Sequence, residues 1–121
     1  MLNCFFVGIG GFTGAVCRYL MGFIPLPDKS GFPWITLCIN VIGAFVIGLT
    51  AGAAAKHGWG NNYFVLFLKT GVCGGFTTFS TFALESSNLL ESGKICLGVT
   101  YMVLSVVLCL GAVAGAQKLM M

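Results

Sequence analysis

The chain has little charge. Of its 121 residues only 7% are Asp, Glu, Lys or Arg, whereas 58% are hydrophobic and the mean hydropathy is +1.00. A soluble domain carries about 25% charged residues, so a water-facing surface is excluded and a lipid bilayer is the expected surrounding. The net charge of +3 is scattered, which excludes a nucleic-acid footprint. His57 is the sole histidine. It lies beside Lys56 in a polar stretch, with no nucleophile or carboxylate placed to partner it, so an enzyme is not expected. GVCGGFTT lacks the lysine of a phosphate-binding loop, and no cluster of metal-ligating side chains is visible. The six cysteines stand at 4, 17, 38, 73, 96 and 109, none in a CxxC pair. They read as small packing residues and not as a disulfide framework. A basic leader and a cleavage site are missing, so the first apolar segment is expected to be retained.

What is present is apolar sequence in long runs. The expected fold is an all-α membrane protein, one domain over 1–121 with four spans at about 3–24, 34–55, 63–90 and 95–117. Barrel strands would alternate apolar and polar residues, and these runs do not. Pro25 to Pro33 holds all three prolines and forms the first connector. Lys56 to Asn62 forms the second. The pairs Gly10/Gly14, Gly48/Gly52, Gly71/Gly75 and Gly111/Gly115 are each four apart, a spacing that lets helices approach closely. Four spans put both termini on one side. Lys56, Lys69 and Lys118 lean to that side, and Arg18, Lys29 and Lys94 to the other. Positive charge sets orientation, so a level tally predicts insertion both ways up and pairing as an antiparallel homodimer.

The third run is longer than the roughly 20 residues that cross a bilayer. At its centre lies GVCGGFTTFSTFALE, Gly71 to Glu85. Glycine weakens a helix, and Thr77, Thr78, Ser80 and Thr81 crowd hydroxyls where lipid offers no partner. One reading is a helix interrupted from Gly74 to Ser80, tolerated because it is buried or lines a wet cavity. The other is a kinked helix whose hydroxyls bond their own carbonyls. Asn40 either makes an interhelical hydrogen bond or lines a pore. Arg18 either snorkels to the interface or faces an aqueous vestibule. Tyr101 and Ser105 share one face of the fourth segment. These embedded groups are mostly neutral donors, which suits an anion. Phe76, Phe79 and Phe82 recur every three residues. Ring edges carry positive charge and can contact an anion, or the rings pack plainly. Carbonyls freed between Gly74 and Thr77 would bind a cation instead.

GGFTGAVCRY at 10–19, PWITLCINVIGAFVIG at 33–48 and GVCGGFTTFSTFALE at 71–85 resemble the three helix motifs of the Fluc (CrcB) fluoride channels, and the likeness covers nearly the whole chain. The resemblance implies a fluoride-selective passive channel in a bacterial inner membrane, working as a dual-topology antiparallel homodimer that exports fluoride and confers resistance to it. By position it implies a fluoride path through Asn40, Phe79, Phe82, Ser80, Thr81, Tyr101 and Ser105. It places Glu85 near one pore end and Arg18 at the vestibule. It also implies a structural sodium ion on the carbonyls of Gly74 and Thr77. Ile35 and Cys38 depart from the usual motif, away from that path. A small multidrug transporter also has four helices and dual topology, but needs an acidic residue in its first span. Here that span has none. A structural or lysis protein would carry charged or amphipathic tails, which this chain almost lacks.

Overall fold

Proline and glycine set the helix limits. The computed structural model describes residues 1–60 and 62–121, and these are helical apart from short connectors. Helix α1, Leu2–Met21, stops short of Pro25, because a residue before proline avoids the helical region. Helix α2, Trp34–His57, starts directly after Pro33 and ends at Gly58, which takes a left-handed φ of 65°. It runs two residues into the expected second connector. That connector includes Asn61, which lies outside the described residues. Helix α3 covers residues 63–76 and opens on Asn62, whose side chain accepts from Val65 N. Helix α4 is Phe79–Glu91 and α5 is Ile95–Leu119. Between them Lys94 N reaches Leu89 O at 2.9 Å across Gly93 (φ 85°), the six-to-one closure of a glycine-terminated helix.

Among the described residues three helices, α1, α2 and α5, are long and apolar enough to cross a membrane. The third crossing element is bent into the two limbs α3 and α4. The helices pair in two parallel sets. A Cβ on Gly10 would lie 2.3 Å from Phe67 O, and one on Gly14 would lie 2.1 Å from Val72 O. Further along, Arg18 reaches Gly75. Contacts that advance together make α1 and α3 parallel. Gly48 likewise meets Val113 and Ala116, and Gly52 meets Met120, so α2 runs parallel to α5. Three of the four glycine pairs therefore mark backbone contacts. Gly111 and Gly115 face open space.

Within α3, residues Leu66–Cys73 form widened π-type turns, which the sequence pattern does not signal. The interruption is also shorter than the expected Gly74 to Ser80. Gly74 and Gly75 are helical, and only Thr77 (φ −80°, ψ 157°) and Thr78 (φ −149°, ψ 119°) leave the helix. The physical reason is packing: a Cβ on Gly75 would lie 2.4 Å from Gly11 O. Gly75 admits a neighbouring backbone and leaves the breaking of the helix to the threonines.

Candidate functional site

Extended backbone at Thr77 and Thr78 frees peptide groups from the helical ladder. In a low-dielectric surrounding each unpaired group is costly. Asn40, in the second turn of α2, meets Thr78 on both sides. Its Nδ2 donates to Thr78 O at 3.1 Å, and its Oδ1 accepts from Thr78 N at 2.9 Å. The hydroxyl of Thr78 accepts from Thr81 N at 3.1 Å and so caps α4. Thr77 donates from its N and its Oγ1 to Cys73 O, at 3.0 and 2.7 Å. Arg18 Nε donates to Gly75 O at 3.1 Å. Three carbonyls remain, Gly74 O, Phe76 O and Thr77 O. Phe76 O accepts no hydrogen bond among the described residues because its helical donor, Ser80 N, lies across the break. Gly74 O loses its helical donor because Thr78 N–H goes to Asn40. Thr77 O accepts no hydrogen bond among the described residues.

A cavity of about 370 Å³ opens beside this break, between α2, the two limbs and α5. Asn40, Gly74, Thr77, Phe79, Phe82 and Ser105 line it. Among the described residues on its wall, none is Asp, Glu, Lys or Arg. Its donors are partly uncommitted. The Asn40 amide has two hydrogens and gives one of them to Thr78. Ser105 is 6% exposed and its Oγ has no partner among the described residues. Phe79 and Phe82 stand 5.5 Å apart at 46°. Phe82 packs on the core of Leu37, Leu89 and Tyr101, whereas Phe79 is 79% exposed. Gly43 makes room for the break on α2, since a Cβ there would meet Thr77 Cγ2 at 2.1 Å.

Glu85 belongs to a second group. Its Oε1 accepts from Tyr101 OH and its Oε2 from Thr36 Oγ1, each at 3.0 Å. Both donors are buried. The candidate residues thus divide. Asn40, Gly74, Thr77, Phe79, Phe82 and Ser105 share the cavity, and Glu85 and Tyr101 are joined beyond it. Arg18 sits on the other side of the break, on Gly75 O. Ser80 faces outward, 3.3 Å from Thr78 Oγ1, and Thr81 is half-buried behind it. Thr36 and Gly43 are the residues that the sequence reading passes over. Their spacing carried a signal, because 36, 40 and 43 lie on one face of α2.

A model of CrcB-like proteins, described as camphor resistance (CrcB), matches residues 5–116. A protein of Ruminiclostridium cellulolyticum, named fluoride-specific ion channel FluC, is 47% identical over 117 residues, 95% of this chain and 90% of its own. Fluoride-specific ion channel FluC 1 of Nitrobacter hamburgensis is 48% identical over 115 residues, covering 92% and 90%. A FluC of Rhizobium etli is 40% identical over 121 residues, covering 99% and 97%. The likeness spans all the elements that build the break and its cavity, and the chain belongs to the CrcB family.

Proposed function

We propose that this protein is a fluoride-selective passive channel that carries fluoride out of the cell and lowers its cytoplasmic concentration. The observation that supports it best is the uncharged cavity with spare donors on Asn40 and Ser105 and two phenylalanine rings. Fluoride is small and strongly hydrated. To leave water it needs donors in place of its lost shell, and positive ring edges add to them. A wall without carboxylates leaves a cation no counter-charge. The names of the relatives point the same way. The path continues past Ser80 and Thr81 and past Tyr101 and Glu85, with Arg18 at a vestibule. An inside-negative potential drives the monovalent anion outward by about 2.3 kcal/mol per 100 mV, so no coupling ion is required. The location is a bacterial inner membrane.

The working unit is an antiparallel homodimer. Exposure of Phe79, which is 79% exposed despite its contact with Phe82, and of the glycine face at Gly111 and Gly115 supports it, since both offer open surface among the described residues. The level charge tally supports insertion in both orientations. A sodium ion fits carbonyls left over at the break, Gly74 O and Thr77 O, because oxygen dipoles without donors suit a hard cation. Bound there, it would supply the positive charge that those carbonyls lack, with each copy contributing its pair.

Fluoride efflux from proteoliposomes, read with a fluoride electrode, tests the reading. The expected result is fast fluoride loss, no chloride loss from chloride-loaded vesicles, and no flux through Phe79→Ile. Well-folded protein that releases no fluoride overturns it.

A further inference from the structure

Five aromatic rings form a row from the first connector to the break. Trp34 and Phe32 stand 4.5 Å apart, Phe32 and Tyr101 5.5 Å, Tyr101 and Phe82 5.2 Å, and Phe82 and Phe79 5.5 Å. All four spacings lie in the range of favourable aromatic pairing. The contact of Phe32 with Tyr101 is edge-to-face at 82°. Phe32 belongs to the connector and not to any helix.

We infer that Phe32 is a positioning residue for the fluoride path, acting through Tyr101. The inference rests on the fluoride-channel reading above. Tyr101 is 0% exposed and holds three relationships at once. Its hydroxyl is given to Glu85, its ring meets Phe82, and Phe32 stands edge-to-face with it. The phenol ring turns about two side-chain bonds. Its tilt decides both whether the hydroxyl reaches Glu85 and what face is offered to Phe82. Leu37 and Leu89 share its core, and Phe32 and Phe82 are the two aromatic rings set against it.

Phe32 can hold another ring because its own backbone is tied down. Phe32 N donates to Ser30 Oγ at 3.2 Å, and Ser30 N donates to Asp28 Oδ1 at 2.9 Å. Asp28 accepts from the Trp34 indole, and Trp34 N donates to Phe32 O at 2.9 Å. Lys94, from the connector before α5, donates to Ser30 O at 3.0 Å. The connector is thus closed on itself and fastened to the end of α5 whose next turns carry Tyr101. A rigid ring at this point passes the geometry of the aqueous end to Phe82, a wall of the cavity.

The test is a cycle of Phe32→Leu, Tyr101→Phe and the double variant, with fluoride efflux measured per folded protein in proteoliposomes. Leucine keeps apolar bulk against the core of Leu37, Leu89 and Tyr101 but removes the ring. Phe32→Leu is expected to slow fluoride efflux roughly three- to tenfold, the range an aromatic pair is worth. Phe32→Tyr, which keeps the ring, restores it. The losses of Phe32→Leu and Tyr101→Phe do not multiply in the double variant, because one residue acts through the other. If Phe32→Leu fails to assemble, Phe32→Met carries the same test, being flexible enough to fill the gap without a ring. Losses that multiply, an unaltered Phe32→Leu, or a Phe32→Tyr as slow as Phe32→Leu overturn the inference while wild-type efflux stands. A wild type without fluoride efflux removes the channel reading itself, and the inference falls with it.

Discussion

Asn40 and Thr78 exchange two hydrogen bonds across 38 residues of sequence, amide to carbonyl at 3.1 Å and peptide N–H to amide oxygen at 2.9 Å. One side chain thereby replaces both helical partners that Thr78 lost. The same amide keeps one hydrogen that Thr78 does not use, and under the proposed channel function that hydrogen is free to meet the ion.

Asn40→Ala is therefore expected to cost both. Each buried backbone group left unsatisfied costs about 1–3 kcal/mol, and here there are two. The melting temperature in detergent should fall clearly, and fluoride efflux should be lost. Asn40→Asp is the sharper variant. It keeps the acceptor for Thr78 N and removes the donor, so efflux should vanish with a smaller loss of thermal stability. Equal stability of Asn40→Ala and wild type would rule out the capping role.

Much of this architecture was legible because its signals are local. Hydropathy marks the apolar helices, and Pro33 and Gly58 mark the ends of α2. The break was legible in kind but not in place. Glycine can open a helix or admit a neighbour, and Gly75 does the second because Gly11 lies against it. That choice depends on a contact 64 positions away in the chain. Both readings of Arg18 leave out its bond to Gly75 O for the same reason. Thr36 differs, since its place one turn before Asn40 could be read from spacing alone. Asn40 makes the cross-helix bond of its first reading, and its place on the cavity wall leaves room for the second.

Gly14 tests the packing of α1 on α3. An added Cβ would stand 2.1 Å from Val72 O and 2.7 Å from Phe76 N, both backbone atoms. No rotamer change relieves such a clash, so the helices must separate. Overpacking of this kind costs about 1–3 kcal/mol. Gly14→Ala should lower thermal stability in detergent by that order and disturb the limb that leads into the break. A Gly14→Ala protein with unaltered melting would show that α1 is not seated on α3 as described.

The connector before α2 carries a pH prediction. Hydrogen bonds from the Trp34 indole, and then from Ser30, hold the Asp28 carboxyl below its ordinary value of 3.8. A carboxyl with a lowered folded-state pKa stabilises the fold fully above its unfolded value. It loses that contribution as pH falls through the lower, folded value. The clasp between Asp28 and Trp34 should therefore stay closed from neutral pH down to about 4 and open only in stronger acid. Trp34 emission in a Trp59→Phe background reads this directly, because the chain has two tryptophans. A transition centred above the ordinary carboxylate value, or one that persists in Asp28→Asn, would contradict it.

Ser105 separates stability from transport. Its hydroxyl is buried on the cavity wall with no partner among the described residues, an arrangement that folding alone disfavours. Removing an unpaired buried polar group recovers its desolvation cost, of the order of 1 kcal/mol. Ser105→Ala should therefore melt at the same temperature as wild type or a few degrees higher. If the hydroxyl donates to fluoride, the same variant should carry fluoride more slowly. Cys109, one turn further along α5, lines the same cavity, so Cys109→Ala serves as a volume control that removes no strong donor. Slower efflux through Ser105→Ala at unchanged or raised stability, with Cys109→Ala close to wild type, is the pattern expected of a donor kept for the ion. A Ser105→Ala channel that is less stable and equally fast would assign the hydroxyl to packing, and the spare donor on Asn40 would then stand alone on the cavity wall.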